Sequence, residues 1–236
     1  HLATKRNRGG VHASYRALRA FMRWLWLEYE LTSRNPIELV QPAKPRQEPL
    51  EPLALEDLRK LLVGCDRQSL QGCRDRALLL ALLDTGCRAS ELLSLNVEDV
   101  DMSTGAVHVR HGKGAKSRIT FLGIRSRREL HHFLRQRQEA TPDAPLWVTS
   151  QGLRLTYEGL RSMVRRRAAA VGMEVPSLHS FRRAFALNSL RNGVDIYSLQ
   201  RLMGHADLTM LQRYLKQSDE DLMDAHRRTG PVDNAL

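Results

Sequence analysis

The apolar residues of this chain fall mostly at spacings of three and four, with one short alternating stretch, so the pattern predicts helices around a small β element. Over residues 14–31, Tyr15, Leu18, Met22, Leu25 and Tyr29 keep the helical spacing while Arg16, Arg19 and Arg23 share another face. Phe21, Trp24 and Trp26 widen the apolar side beyond one stripe. The residues before it, HLATKRNRGGVHA, are too few and too polar to cover such a face, which therefore asks for partner helices. The plainer alternative is a basic surface helix on the main domain, and the width of the apolar face weighs against it. An Asn35-Pro36 turn follows.

From Gln41 to Pro52 four prolines in twelve residues, with charges between them, exclude a helix interior and a central strand and predict a semi-rigid linker. Beyond it Leu55, Leu58, Leu61 and Leu62 mark a helix. Residues 74–95 predict a buried leucine helix, a stop at Thr85-Gly86, and a second helix opening near Ala89. Val107 and Val109, then Gly112-Lys113-Gly114 with Lys116 and Arg118, then Ile119, Phe121 and Leu122 predict a β-hairpin with a basic tip. Asp101 to Gly105 reads as a turn. Ser126 to Glu129 has the form of a capping box opening a helix with Leu130, Phe133 and Leu134 inward, and Thr141 to Pro145 breaks it.

Leu146-Trp147-Val148 is a short apolar run, and Thr156 opens a helix with Leu160, Met163 and Val164 on one side. Arg161, Arg165, Arg166 and Arg167 crowd that helix; a solvated charged face is the plain reading, phosphate contacts that position a duplex the preferred one. Ser177 caps a helix with Phe181, Phe185 and Leu190, which Asn192-Gly193 closes. Asp195 opens the next, with Ile196, Leu199, Leu202 and Met203, and Gly204 stops it. A last helix carries Tyr214, and Asp219 to Arg228 has the makings of one more. The fold class is mainly α with a small antiparallel β-sheet.

Composition changes the picture in one respect: a net charge of +11 and a pI near 10.2 on 236 residues call for a polyanionic partner, with nucleic acid leading. Cys65, Cys73 and Cys87 are odd in number and form no C-x-x-C pair, which favours a reducing cytoplasm over disulfides or structural zinc, and no metal site is implied. Neither a signal peptide nor eighteen consecutive apolar residues occurs. The first residue is His, which suggests a fragment or a missing start.

Candidate chemistry gathers near the C-terminal end. His179 and Arg182 lie one turn apart at a helix N-terminus, a place suited to anions. His205 follows Gly204, and Tyr214 stands nine positions on. Each alone has a bland reading: core for the tyrosine, surface for the histidines. Upstream, Arg88 stands among leucines and needs a partner, since an unpaired buried charge costs several kcal/mol or more. Glu91, one turn on, is the candidate, and a structural ion pair is the plain alternative to a catalytic role.

Taken together, H-x-x-R, L-x-G-H and the tyrosine, with D-T-G-x-R-x-S-E-L around Arg88 and G-K-G-x-K-x-R in the hairpin, resemble the catalytic domain of tyrosine recombinases, the phage integrase and Xer family. The resemblance runs from Val11 onward and fills all six motif positions. It implies that residues 1–41 are the end of a helical core-binding domain that clamps DNA, 42–52 a linker, and 53–236 the catalytic domain. From about residue 217 a tail would pack onto a neighbouring protomer.

The implied chemistry cuts and rejoins DNA without metal or other cofactor. Arg88 and Arg182 would grip the scissile phosphate, Tyr214 would attack phosphorus to give a 3′-phosphotyrosyl link, and Lys113 would protonate the 5′-oxygen. His179 is assigned as proton acceptor and His205 as donor to phosphate, with exchange of the two left open. Arg16, Arg19, Arg23, Lys116, Arg118, Arg161, Arg165, Arg166 and Arg183 are the expected DNA contacts.

The implied partners are double-stranded DNA with specific half-sites and further copies of the chain, as a tetramer on two duplexes passing through a Holliday junction, in the cytoplasm at the nucleoid. Departures from the family pattern are Ala54 where Ser or Thr often caps, Cys87 where Leu is commoner, and Thr120-Phe121-Leu122 where Val-Pro-Leu usually runs. Arg183 and Lys216 stand where His is frequent. A type IB topoisomerase and a catalytically silent DNA-binding relative are the rival readings.

Overall fold

The computed structural model describes residues 8–41, 51–110, 117–137, 140–204, 222–223, 226–227, 230 and 232. The chain divides into two units, His1–Pro49 and Leu50–Leu236. In the first, helix α1 spans Arg8–Glu28, beginning six residues before the apolar periodicity predicts and ending before Tyr29. Asn35 then caps a short 3-10 turn, Pro36–Leu39, its side chain accepting from the Ile37 amide, while its amide group donates to the Met22 carbonyl at 3.2 Å. Leu18, Phe21 and Trp24 each keep about half of their surface exposed, at 50%, 52% and 50%. Arg16, Arg19 and Arg23 are exposed as well.

The second unit is mostly helical: α2 (Leu55–Val63), α3 (Leu70–Thr85), α4 (Ala89–Ser94), α5 (Ile124–Gln136), α6 (Tyr157–Ala170), α7 (Leu178–Arg191) and α8 (Ile196–Met203). Strands β1 (Ala106–Val109) and β2 (Arg118–Phe121) pair antiparallel, with Val107 opposite Thr120. Helix α3 is the centre. Its run of leucine and alanine is buried on nearly every side because α5 and α7 both pack against it. Trp147 and Phe133, both fully buried, stack with ring centroids 6.1 Å apart and close the core beneath α5.

At the centre of this core a buried charge is met by opposite charges. Asp75, fully buried on α3, accepts two bonds from Arg74 at Oδ1 (2.9 and 2.6 Å) and two from Arg167 at Oδ2 (2.9 and 2.6 Å). Arg167 also donates to the Gly64 carbonyl at 2.8 Å, so one buried carboxylate ties α6 to α3 and to the end of α2. The arginine row on α6 thus splits: Arg167 points inward, and Arg161, Arg165 and Arg166 stay exposed.

One local expectation is corrected. Helix α5 starts at Ile124, so Ser126 is not its cap but a buried residue of its first turn. Gly123 precedes the helix instead, and its amide donates to the Asp84 carboxylate at 2.6 Å. On β2 the inward residue is Thr120, while Ile119 and Phe121 are 47% and 52% exposed. The Thr120 hydroxyl donates to the Thr85 carbonyl at 2.9 Å, which satisfies a polar group that burial would otherwise penalise.

Other boundaries agree with the sequence. Ala54 precedes α2 without a side-chain cap bond, while Ser177, Thr156 and Asp195 each accept amide bonds at the start of α7, α6 and α8. Among the described residues no helix is long and apolar enough to cross a membrane. Most of the proline-rich linker lies outside the described residues.

Candidate active site

The site is built on the break between α3 and α4. Gly86 ends α3 at φ +58°, and a side chain there would run into the Phe185 ring, so both backbone and packing require glycine. The turn places Arg88 at the N-cap of α4. Its side chain is 32% exposed, and its Nη1 donates to Glu91 Oε1 at 2.7 Å. The Arg88 amide donates to Glu91 Oε2 at 2.9 Å, so Glu91 caps this amide as in a capping box, while the arginine, having no acceptor, makes no side-chain cap bond. The expected pairing of Arg88 with Glu91 is therefore present.

Glu91 has a second partner that the sequence did not indicate. Arg118 Nη2 donates to Glu91 Oε2 at 2.7 Å, and Arg118 Nε donates to the Leu202 carbonyl at 3.0 Å. The Arg118 side chain is 9% exposed. Expected as a DNA contact, the residue opens β2 facing inward, its charge taken up by Glu91 and by the end of α8. Burial alone would raise the Glu91 pKa; the bonds from Arg118 and Arg88 outweigh it and hold the carboxylate below its ordinary 4.5.

Arg182 lies deeper, 1% exposed. Its Nη1 donates to the Gly86 carbonyl at 2.5 Å and its Nη2 to the Met203 carbonyl at 2.6 Å. One guanidinium thus clamps the turn that carries Arg88 to the last turn of α8, and its charge stands behind the surface. With Arg118 on Leu202, two cations sit at the C-terminal carbonyls of α8, where the helix dipole favours them. The chain leaves α8 through Gly204, at φ +64°.

His179 is exposed on the first turn of α7. Partial burial, and then the charges of Arg183, Arg182 and Arg88, pull its pKa below the usual 6.5. The imidazole is neutral at neutral pH in a field of three guanidiniums. Arg183, expected to touch DNA, is 9% exposed and donates to the Glu51 carbonyl at 3.4 Å. The residue packs α7 against the segment entering the unit, where Leu53 also donates its amide to the Ser180 carbonyl at 3.1 Å.

Arg88, Glu91, His179 and Arg182 are therefore brought together. Lys113, Lys116, His205 and Tyr214 lie outside the described residues, as do the hairpin tip and the helix expected to carry the tyrosine. Of the tail, Leu222, Met223, His226 and Arg227 are helical, with Leu222 and Met223 55% and 49% exposed. Arg161, Arg165 and Arg166 lie exposed along α6, where Arg161 pairs loosely with Glu158 at 3.2 Å. Both partners of that pair are largely in water, so it adds little stability.

This geometry coincides with a family match: residues 51–221 fit the model of the phage integrase family. The chain is 33% identical over 216 residues to tyrosine recombinase XerC of Pelobacter propionicus, covering 91% of this chain and 71% of that protein. Its fold matches the crystal structure of XerA recombinase with a TM-score of 0.65 at 26% identity, over 92% of this chain and 75% of that one. It also matches XerH site-specific recombinase bound to its palindromic difH substrate, with a TM-score of 0.75 at 22% identity, over 93% and 67%. The chain belongs to the phage integrase family and is a tyrosine site-specific recombinase of the Xer-like kind.

Proposed function

We propose that the chain cuts and rejoins DNA at specific half-sites through a covalent 3′-phosphotyrosyl intermediate, using side chains alone. The observation that carries this reading is the convergence of Arg88, Arg182 and a low-pKa His179 on the turn after α3. Cleaving a phosphodiester requires positive charge for the non-bridging oxygens, a nucleophile, and an acid for the leaving oxygen. Arg88, the more exposed guanidinium, bears on the scissile phosphate, and Arg182 supplies its charge from behind. Neutral His179 accepts the phenolic proton as Tyr214 attacks phosphorus. His205 donates to phosphate, and Lys113 protonates the departing 5′-oxygen.

DNA is the partner of this reaction. The net charge of +11 supports it, and so does the fold shared with XerH in its DNA complex. Arg161, Arg165 and Arg166 on α6 and Arg16, Arg19 and Arg23 on α1 serve as phosphate contacts that position the duplex. Residues 1–41 act as part of a helical clamp joined by the proline-rich linker to the catalytic unit. Four copies assemble on two duplexes through a Holliday junction, the tail from about residue 217 reaching a neighbour.

The test is incubation with supercoiled plasmid and with synthetic duplexes in EDTA, read on denaturing gels. A covalent adduct with strand exchange supports the proposal. Relaxation without exchange would mark a topoisomerase-like activity, and binding with no adduct a silent relative.

A further inference from the structure

We propose that Arg118 is a positioning residue for strand cleavage: it keeps Glu91 from neutralising Arg88 and fastens the end of α8 to the same carboxylate. This rests on the reading that Arg88 bears on the scissile phosphate. Glu91, its side chain 4% exposed, is one negative charge shared between two guanidiniums, each 2.7 Å away. The three groups together carry one surplus positive charge. Arg118 is enclosed at 9% exposure and Arg88 is open at 32%, so the surplus is offered to a ligand at Arg88. Without Arg118, Glu91 and Arg88 become a one-to-one pair, and the potential at Arg88 falls by the share Arg118 had been absorbing.

The same guanidinium has a second arm. Its Nε holds the Leu202 carbonyl at 3.0 Å, in the last turn of α8, two residues before Gly204 and three before His205. A side chain at position 204 would place its Cβ 2.8 Å from Arg118 Cδ. The glycine is therefore what lets the arginine stem lie against the turn. Since Arg118 is also the first residue of β2, one side chain joins the hairpin, the Arg88–Glu91 pair and the exit of α8. Enclosed in this way, it acts on DNA through Arg88 and through where the chain leaves α8.

The experiment uses the full chain and a duplex bearing its own cleavage site, recovered from genomic fragments trapped covalently on the wild-type protein. Arg118→Gln and Arg118→Lys are compared with wild type and Arg88→Ala on two substrates, one with an ordinary scissile phosphate and one with an uncharged methylphosphonate there. Thermal unfolding is followed for every variant, and if the glutamine variant is unfolded the lysine variant carries the comparison.

On the ordinary duplex, single-turnover cleavage by Arg118→Gln should fall by about 10- to 100-fold, the range for a misplaced or unbalanced catalytic group, with gel-shift affinity unchanged. Lysine, which keeps a charge beside Glu91, should recover part of that loss. On the methylphosphonate, which needs less positive charge, the deficits of Arg118→Gln and Arg88→Ala should both shrink several-fold. Affinity falling in step with cleavage would make Arg118 a DNA contact and overturn the proposal. An equal deficit on both substrates would overturn it too. Wild-type protein forming no adduct would instead overturn the function on which the proposal rests.

Discussion

Glutamine at position 91 tests the shared carboxylate most sharply. The amide oxygen can replace only one carboxylate oxygen. Placed at Oε2, it keeps the bonds from the Arg88 amide and Arg118 Nη2, and then the amide nitrogen faces Arg88 Nη1 as a second donor. One charge-assisted bond, worth about 1.5–3 kcal/mol, is lost, and the other two weaken when their acceptor becomes neutral. Arg88 is about a third exposed, so water screens part of its share, and we take the net loss as about 2 kcal/mol. For a unit of this size that lowers Tm by about 4–8 °C.

The pH dependence gives the sign. Glu91 is held below its ordinary 4.5, so its stabilisation is fully present above that pH and is lost as pH falls through the lower folded value. The gap between wild type and Glu91→Gln should be full at neutral pH and should narrow as the solution is acidified below 4.5. Circular dichroism melts of both proteins across that range make the measurement. A gap that stayed constant with pH, or no gap at neutral pH, would refute the account of Glu91 as an ionised carboxylate shared by two arginines.

Two further predictions concern the reacting groups. The acid limb of the single-turnover cleavage rate should fall below pH 6.5, because partial burial and then Arg183, Arg182 and Arg88 depress the His179 pKa; NMR titration of the ring should show the same value rising in Arg183→Gln. A limb above 6.5 would remove His179 from the base role. Lys113→Ala should cleave ordinary DNA slowly and be largely rescued when sulfur replaces the 5′-bridging oxygen, since a thiolate leaves without a proton, whereas Arg88→Ala should not be. Equal rescue of both would sink that division of roles.

Much of this was legible because it is local. Ser177, Asp195, Gly204 and the Thr85-Gly86 stop are short-range capping chemistry, and each marks its boundary. Arg88 with Glu91 was legible for the same reason, being one turn apart. What escaped depends on pairings distant in sequence. Arg118 lies 27 residues from Glu91 and 84 from Leu202, and from the sequence it looked like one more cation of a basic hairpin. Arg167 looked like its neighbours on α6 until Asp75, 92 residues away, claimed it.

Pattern was silent on the inward face of β2 and misled before α5. On β2 the pleat turns Thr120 inward, where the Thr85 carbonyl satisfies it, and leaves Ile119 and Phe121 about half exposed. Before α5, the apparent capping box at Ser126 lost to a start at Ile124, fixed by Asp84 through the Gly123 amide. In both cases a contact from α3 decided the outcome.

The central claim is that Tyr214 carries the DNA between cutting and rejoining. Its most direct measurement is mass spectrometry of the peptide left on a nicked duplex after trapping with the wild-type chain, beside the same reaction with Tyr214→Phe. The account predicts a 3′-phosphoryl link to Tyr214 in the wild type, none in the variant, and equal affinity of the two for the half-site. A link at another residue, such as Tyr197, which stands 67% exposed on α8, or an adduct persisting in Tyr214→Phe, would contradict it.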